Sequence, residues 1–455
     1  MFMLNFEIQG EYLMKKILFI IIFSLTTSLL SGCNLSKNEE RKLNNEEWLE
    51  DIKTLDTNLK KEHPNIFRYT SEKEWNKNIE NLKSDIDKLS DRSIILRISQ
   101  ITTSIGDAHT GIFPLDLLTP IGEEQIKPES IVEFPIKCEY FDDGVRIIEC
   151  DSKYEEILGS KLISINNVAI NKILNDIATL IPQDYKNNQC ALIYAKEMMN
   201  SYEFLKYFKV IDNNKAKYTF ETNSKEKIIL ELTAKENKHI NYIALDKKVM
   251  KTNKVPEGEN EAYWYKNFKE DKILYFRLNQ FTSNYAIFET KEEESKYPDI
   301  DEVQERLLNE INKGEYSKFI IDLRKNGGGL VNIRDSIVDM IKFRTDLIGE
   351  EIYILTGKYS NSASTTFAWE LQKKLGANIV GETTGGNVNL FTTGGQIIEL
   401  PNSKLKVCVS AYESVNEKGY VGGVNPDFEV KQNYNDYING IDTVYEYIKD
   451  LNIHK

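Results

Sequence analysis

Phe319-Ile320-Ile321-Asp322-Leu323 is a short, almost unbroken apolar run that ends abruptly in Arg324-Lys325-Asn326-Gly327-Gly328-Gly329. A run of that length and character suits a strand buried on both faces, which occurs where helices cover both sides of a parallel sheet. The three glycines release the backbone for positive φ and let amide N–H groups face a ligand. The surrounding chain supplies the other layers. Residues 273–278, 352–355 and 378–380 read as further strands, while Ile333, Ile337, Val338 and Ile341, then Phe367, Leu371 and Leu375, form two helical stripes. Strand and helix therefore alternate through an α/β layered core. The glycine turn lacks the Gly-Lys-Ser/Thr of a phosphate loop and the spacing of a dinucleotide fingerprint.

Upstream the pattern changes twice. Residues 46–105 read as helical, with Trp48, Ile52, Leu55, Leu59, Ile79, Leu82, Ile86 and Leu89 recurring at spacings of three and four. His63-Pro64 breaks this region, because the residue before proline is pushed out of the helical conformation. Residues 131–183 shift to short strands with turn signals, and 205–250 add more. A run of the form Gly-x-x-Leu-x-x-Ile-Asn, at residues 159–166, makes this part look like a PDZ-type peptide-binding fold; a generic β insert is the alternative. Residues 257–261 mark a linker.

At the N-terminus, Lys15 and Lys16 precede an apolar run over residues 17–30, the length of an export-signal core and short for a membrane span. It closes on Leu30-Ser31-Gly32-Cys33, which resembles a bacterial lipobox with Cys33 as the lipid-attachment residue. Met14 is read as the start. The expected organisation is a signal segment over 1–32, a lipid-anchored tether over 33–45, a helical region over 46–125, a β-rich PDZ-like and linking region over 126–257, and the catalytic α/β core over 258–455. That arrangement places the protein in the cell envelope, held to the membrane through its N-terminal lipid. Lys+Arg number 58 against 71 Asp+Glu, a net charge of −13, so nucleic acid is not an expected partner. Five cysteines in 455 residues are too few for a disulfide scaffold, although Cys138 and Cys150 could pair across neighbouring strands. Neither His-Glu-x-x-His nor Cys-x-x-Cys occurs, and no metal or other cofactor is expected.

A second junction, residues 356–367, contains Ser360-Asn361-Ser362-Ala363-Ser364 ahead of a helical stripe. A helix N-terminus stabilises an anion, which suits a nucleophile whose acyl intermediate develops an oxyanion. Taken alone, Ser362 or Ser364 could equally be a simple N-cap.

The order of motifs adds to this. Gly106-Asp107-Ala108-His109-Thr110, Asp322-Leu323-Arg324-x-Asn326-x-Gly328-Gly329, Ser362-Ala363-Ser364, Gly381-Glu382-Thr383-Thr384-Gly385 and Gly423-Val424-Asn425-Pro426-Asp427 follow one another in a sequence that resembles the tail-specific (C-terminal processing) protease and tricorn-core family of serine peptidases. The resemblance extends to Glu62-His63-Pro64-Asn65. It implies a crotonase-like (ClpP-type) core and cleavage of peptides or unfolded proteins through an acyl-enzyme. Carried over by position, Ser362 is the nucleophile, and the amides of Gly328 and Ala363 form the oxyanion hole. The tail-specific branch uses a lysine where this chain has Asn387, and the next lysine is Lys404. The tricorn branch uses a histidine, and His109 matches it; an imidazole with an ordinary pKa of ~6.5 can act as general base near neutral pH. His63 is read as shaping a turn or the cleft edge. For the residue that orients the imidazole, the family's glutamate falls on Tyr420; Glu417 is the chosen substitute, with Glu413 nearby and Asp107 a local alternative. A silent member of the same fold that binds a peptide or apolar ligand is the competing reading, and a solute-binding lipoprotein is a weaker one.

Overall fold

The computed structural model describes residues 42–123, 125–257, 259, 261–284, 297, 299–342 and 351–451, without the side chains of 393–395. Cys33, the export segment, residues 33–41 of the tether, Gly258 and Asn260 of the linker, and His454 lie outside the described residues.

Three helices open the fold: α1 (Asn45–Glu62), α2 (Glu72–Asp85) and α3 (Asp91–Thr103). A capping box starts α1, with the Asn44 side chain accepting from Glu46 and Glu47 amides while Glu47 returns a bond to the Asn44 amide. The helix stops at His63, whose extended φ of −72° and ψ of 132° is what the following Pro64 demands. The stripe Trp48, Ile52, Leu55 and Leu59 is fully buried and shares a core with Trp75, Ile79 and Leu82 of α2. Side chains of this size are worth roughly 1.5–3 kcal/mol each when taken fully out of water.

The middle of the chain forms an antiparallel sheet in the order β1 (Ile136–Phe141), β2 (Gly144–Asp151), β3 (Lys161–Ile165), β4 (Lys215–Glu221) and β5 (Lys227–Thr233). Short strands Val168–Ala169 and Tyr242–Ala244 extend it on β3 and β2. Asn166 and Asn167 both take positive φ, so the hairpin after β3 turns in two residues. Three helices interrupt the stretch read as β-rich: α4 (Ile170–Ala178), α5 (Gln189–Met198) and α6 (Tyr202–Tyr207). Cys138 and Cys150 are not bonded. They lie on adjacent strands, but register sets Cys138 opposite Ile147 and Cys150 opposite Ile136, and both remain buried free thiols.

The C-terminal part is a layered α/β unit. Its strands are β6 (Tyr263–Phe268), β7 (Ile273–Leu278), β8 (Lys318–Asp322), β9 (Ile352–Thr356), β10 (Asn378–Gly381), the hairpin β11 (Leu390–Glu399) and β12 (Lys406–Ser414), and β13 (Phe428–Glu429). The sheet runs β6-β7-β8-β9-β10-β13, antiparallel only between β6 and β7. Alternate residues feed its two faces. Phe276, Phe319, Ile321, Ile354 and Ile379 pack under α7 (Ile300–Lys313), α8 (Val331–Lys342) and α9 (Ala363–Leu375). Tyr275, Ile320, Tyr353 and Val380 pack under the C-terminal helix Thr443–Asp450. Both faces are covered, as the apolar runs require.

The β11–β12 hairpin leaves this sheet. Its Ile398, Val407 and Val409 join the core of α1, α2 and α3, and Gly111 pairs with Cys408 through two backbone bonds of 3.0 Å. Sequence distance hides this contact, which brings the end of the helical region against the α/β core.

Candidate active site

Two strand-end loops of the core are tied together first. The Ser360 hydroxyl donates to Leu323 O at 2.8 Å and accepts from Gly357 N at 3.1 Å, while Asn361 N donates to Asn326 O at 3.2 Å. The loop after β10 closes on the same residue, with Gly385 N donating to Ser360 O at 2.7 Å. Ser362 then sits at the turn into α9 with φ 54° and ψ −124°, a backbone state that a non-glycine residue adopts only under constraint. It makes no capping bond to its helix, so the simple N-cap reading does not describe it. Gly386 is required beside it: an added Cβ would lie 2.2 Å from Asn361 Oδ1 and 3.0 Å from Ser362 N.

The Ser362 hydroxyl meets His109. Oγ lies 3.1 Å from Nε2, between residues 253 apart in sequence, and both side chains are buried. His109 is held from three sides. Ala108 N donates to Asp184 Oδ1 at 3.1 Å, His109 N donates to Asp107 Oδ1 at 2.8 Å, and Ser410 N on β12 donates to Thr110 Oγ1 at 2.9 Å. Asp184 also accepts from Asn387 N at 2.7 Å, and so joins the histidine loop to the loop beside the serine.

Asp107 Oδ1 is 3.8 Å from His109 Nδ1, and Nδ1 is buried without a partner among the described residues. Burial alone would raise the Asp107 carboxyl. The hydrogen bond from His63, the charge of His109 and bonds from Thr110 and the His109 amide outweigh it and hold the carboxyl below its ordinary value. Asp184 goes the other way: burial pushes it up to about 6 against the opposing pull of His109 and Asn387 N.

Glu417 is not brought to the histidine. Its carboxylate accepts from Trp369 Nε1 at 2.9 Å and faces Lys373 at 3.6 Å, on the outer side of α9. Glu413 faces Arg68, and the Tyr420 hydroxyl donates to Gly423 O at 2.7 Å. Asp107 is the carboxylate beside the imidazole. Of the oxyanion-hole candidates, Gly328 (φ 121°) abuts the serine so closely that an added Cβ would stand 2.8 Å from Ser362 Cβ. Its N–H donates to Asn326 Oδ1 at 2.8 Å, whereas the Ala363 N–H has no acceptor among the described residues. Asn387 contributes an amide bond to Tyr185 O at 3.0 Å, and Lys404 faces Glu399 near the hairpin tip. His239 is exposed beside Glu236. Sequence reasoning missed Asp184; His63 stands at the turn that ends α1, one of its two expected places, and its ring also lies on Asp107. No cluster of metal-ligating side chains occurs among the described residues.

The model of peptidase family S41 matches residues 272–347 and 344–430. The family match is thus carried by residues 272–430. The protein is a serine-type peptidase, and the matched segment spans the glycine turn and Ser362. Among solved structures, mature CPAF complexed with lactacystin aligns at a TM-score of 0.58 and 13% identity, covering 89% of this chain and 98% of that one. Free mature CPAF aligns with the same score and identity over 90% and 97%. The tricorn protease aligns at 0.40 and 14%, covering 89% of this chain and 36% of that one. The CPAF likeness is one of fold: the S41 core and the helical and β-rich regions before it are shared together. No curated protein matches the sequence.

Proposed function

We propose that this S41 peptidase cuts peptides or unfolded proteins through an acyl-enzyme, with Ser362 as nucleophile and His109 as general base. The 3.1 Å approach of Oγ to Nε2 carries the reading. Ser362 Oγ forms a bond to the scissile carbonyl carbon as its proton passes to Nε2. Asp107 Oδ1, 3.8 Å from Nδ1, closes on the N–H there and steadies the imidazolium. The Ala363 amide receives the oxyanion, joined by Gly328 N–H once Asn326 yields it. Nε2–H then protonates the leaving amine as the C–N bond breaks, and water repeats the sequence on the ester.

The two-faced sheet under four helices favours a crotonase-like arrangement of the core, and the antiparallel sheet with its helices a PDZ-like module. The division at about residues 125 and 257, an export signal over 1–32, lipid attachment at Cys33 and a place in the cell envelope belong to the same proposal; the Leu-Ser-Gly-Cys motif supports them. No helix among the described residues is long and apolar enough to cross a membrane.

Fluorophosphonate labelling tests the chemistry. Ser362 is expected to be modified, and His109→Gln to slow modification by roughly 10³-fold without loss of fold. A folded wild-type protein that resists the reagent overturns the catalytic reading in favour of peptide or apolar-ligand binding. For the anchor, Cys33→Ala should move the protein from the detergent phase to the aqueous phase on cloud-point partition.

A further inference from the structure

The Asp107 carboxylate is completely buried between two imidazoles, and only one of them belongs to the proposed reaction. The other is His63, whose Nε2 lies 3.1 Å from Asp107 Oδ2. Its remaining nitrogen settles the tautomer. The Asn65 amide donates to His63 Nδ1 at 3.1 Å, so Nδ1 is an acceptor and the ring proton sits on Nε2, pointing at the carboxylate. The ring is packed as well, with Phe391 of β11 4.8 Å away between centroids. Both neighbours follow from the break at Pro64, which ends α1 and turns His63 inward.

We propose that His63 is a positioning residue for the Ser362–His109 pair: by donating to Oδ2 it holds the Asp107 carboxylate with Oδ1 toward His109 Nδ1. The inference rests on reading Ser362 as nucleophile and His109 as base. Asp107 has two oxygens and a buried site; Oδ1 is taken by the His109 amide and faces Nδ1. With Oδ2 unpaired by His63, only the His109 amide and the Thr110 side chain would be left to fix its rotation. Desolvation would also lose its strongest opponent, leaving the charge of His109 and the bonds from Thr110 and the His109 amide to hold the carboxyl ionised. The groups facing this cluster are Thr110 on its own loop, His63 from the end of α1, Asp184 from the loop after α4 with Cys190 behind it, and Ser362 from the serine turn.

The test uses the full chain and compares wild type, His63→Phe and His63→Gln by the rate of fluorophosphonate labelling at Ser362 across pH. Phenylalanine keeps the ring and its Phe391 contact but removes the donor; glutamine restores an N–H. His63→Phe should label roughly 10²-fold more slowly near pH 6, and its acid limb should move up by about one pH unit. His63→Gln should return both toward wild type. Asp184 is present in all three proteins and feels the Asp107 charge, so a difference between them arises from the His63 substitution and reports the two carboxyls together. An acid limb of His63→Phe that coincides with wild type overturns the proposal, and so does an equal displacement in both variants. Should His63→Phe not fold, ¹⁵N shifts of the four histidines decide: a neutral Nε2–H ring for His63 at pH 7 supports the proposal, and a ring protonated at Nδ1 refutes it. A wild-type protein that is not labelled at all refutes the Ser362–His109 reading instead.

Discussion

The proposed nucleophile, Ser362, owes its setting to the geometry of its neighbours. Ser362 is held at φ 54° by a loop tied to Leu323, Asn326 and Gly385, and the hydroxyl is thereby presented to an imidazole rather than to its own helix. Gly328 is a point where a single added methyl group would press directly on the serine side chain. Because its Cβ would stand 2.8 Å from Ser362 Cβ, Gly328→Ala must displace the Ser362 side chain. Labelling of Ser362 should fall by roughly 100-fold or more, while circular dichroism stays that of the wild type. Asp107→Asn should slow labelling strongly as well, since an amide cannot steady an imidazolium, whereas Glu417→Gln should leave the rate within about twofold. Equal losses in those two variants would return Glu417 to the mechanism.

Among the elements, β8 does two jobs. Its buried Asp322 ends the strand and gathers Arg277 of β7, Tyr275, and Arg324, which bridges onward to Asp442 at 2.7 Å. Burial would raise the Asp322 carboxyl, but the two guanidinium groups and their hydrogen bonds hold it far below the ordinary range. The glycine turn begins one residue later, so this ion cluster anchors the floor of the site. Asp322→Asn leaves Arg277 buried with no counter-charge, and urea unfolding should register a loss of about 3–5 kcal/mol. The paired exchange of Arg277 and Asp322 for apolar residues of similar volume should cost much less, which would show that the loss comes from the stranded charge.

Over the whole molecule, acid acts in two opposite senses. Asp107, Asp322 and Asp442 have folded-state values below those of the unfolded chain. Their stabilisation is intact above about pH 4 and is lost as pH falls below it. Asp116 and Asp184 are raised to about 6, chiefly by burial. Between about pH 4 and that value the folded chain binds more protons at these groups than the unfolded chain, so stability declines as pH rises across the window. Asp116→Asn should therefore stabilise the fold at pH 7.5 by on the order of 1 kcal/mol, seen as a higher thermal midpoint, and change it little at pH 4. A uniform shift at both pH values would contradict this account. Asp184 is placed to feel the same titration at the site itself, because it joins Ala108 to Asn387.

Local pattern alone was enough for the buried strands of the core, the helices over them, the break at His63-Pro64 and the serine turn, because periodicity, proline and glycine act over a few residues. The motif order also named Ser362 and His109, two side chains that the fold brings within 3.1 Å of each other. It led to Glu417 in error, because proximity along the chain to a family position says nothing about where a carboxylate points; Glu417 lies on the outer side of α9 with Trp369. Helices α5 and α6, the hairpin β11–β12 and the roles of His63 and Asp184 were not legible. Each depends on contacts between segments distant in sequence, 44 residues apart for His63 with Asp107 and 203 for Asp184 with Asn387. Sequence determined which groups could do chemistry; only the packing of the helical region onto the core decided which carboxylate lies beside the histidine, since a buried charge is placed by whatever hydrogen bonds reach it.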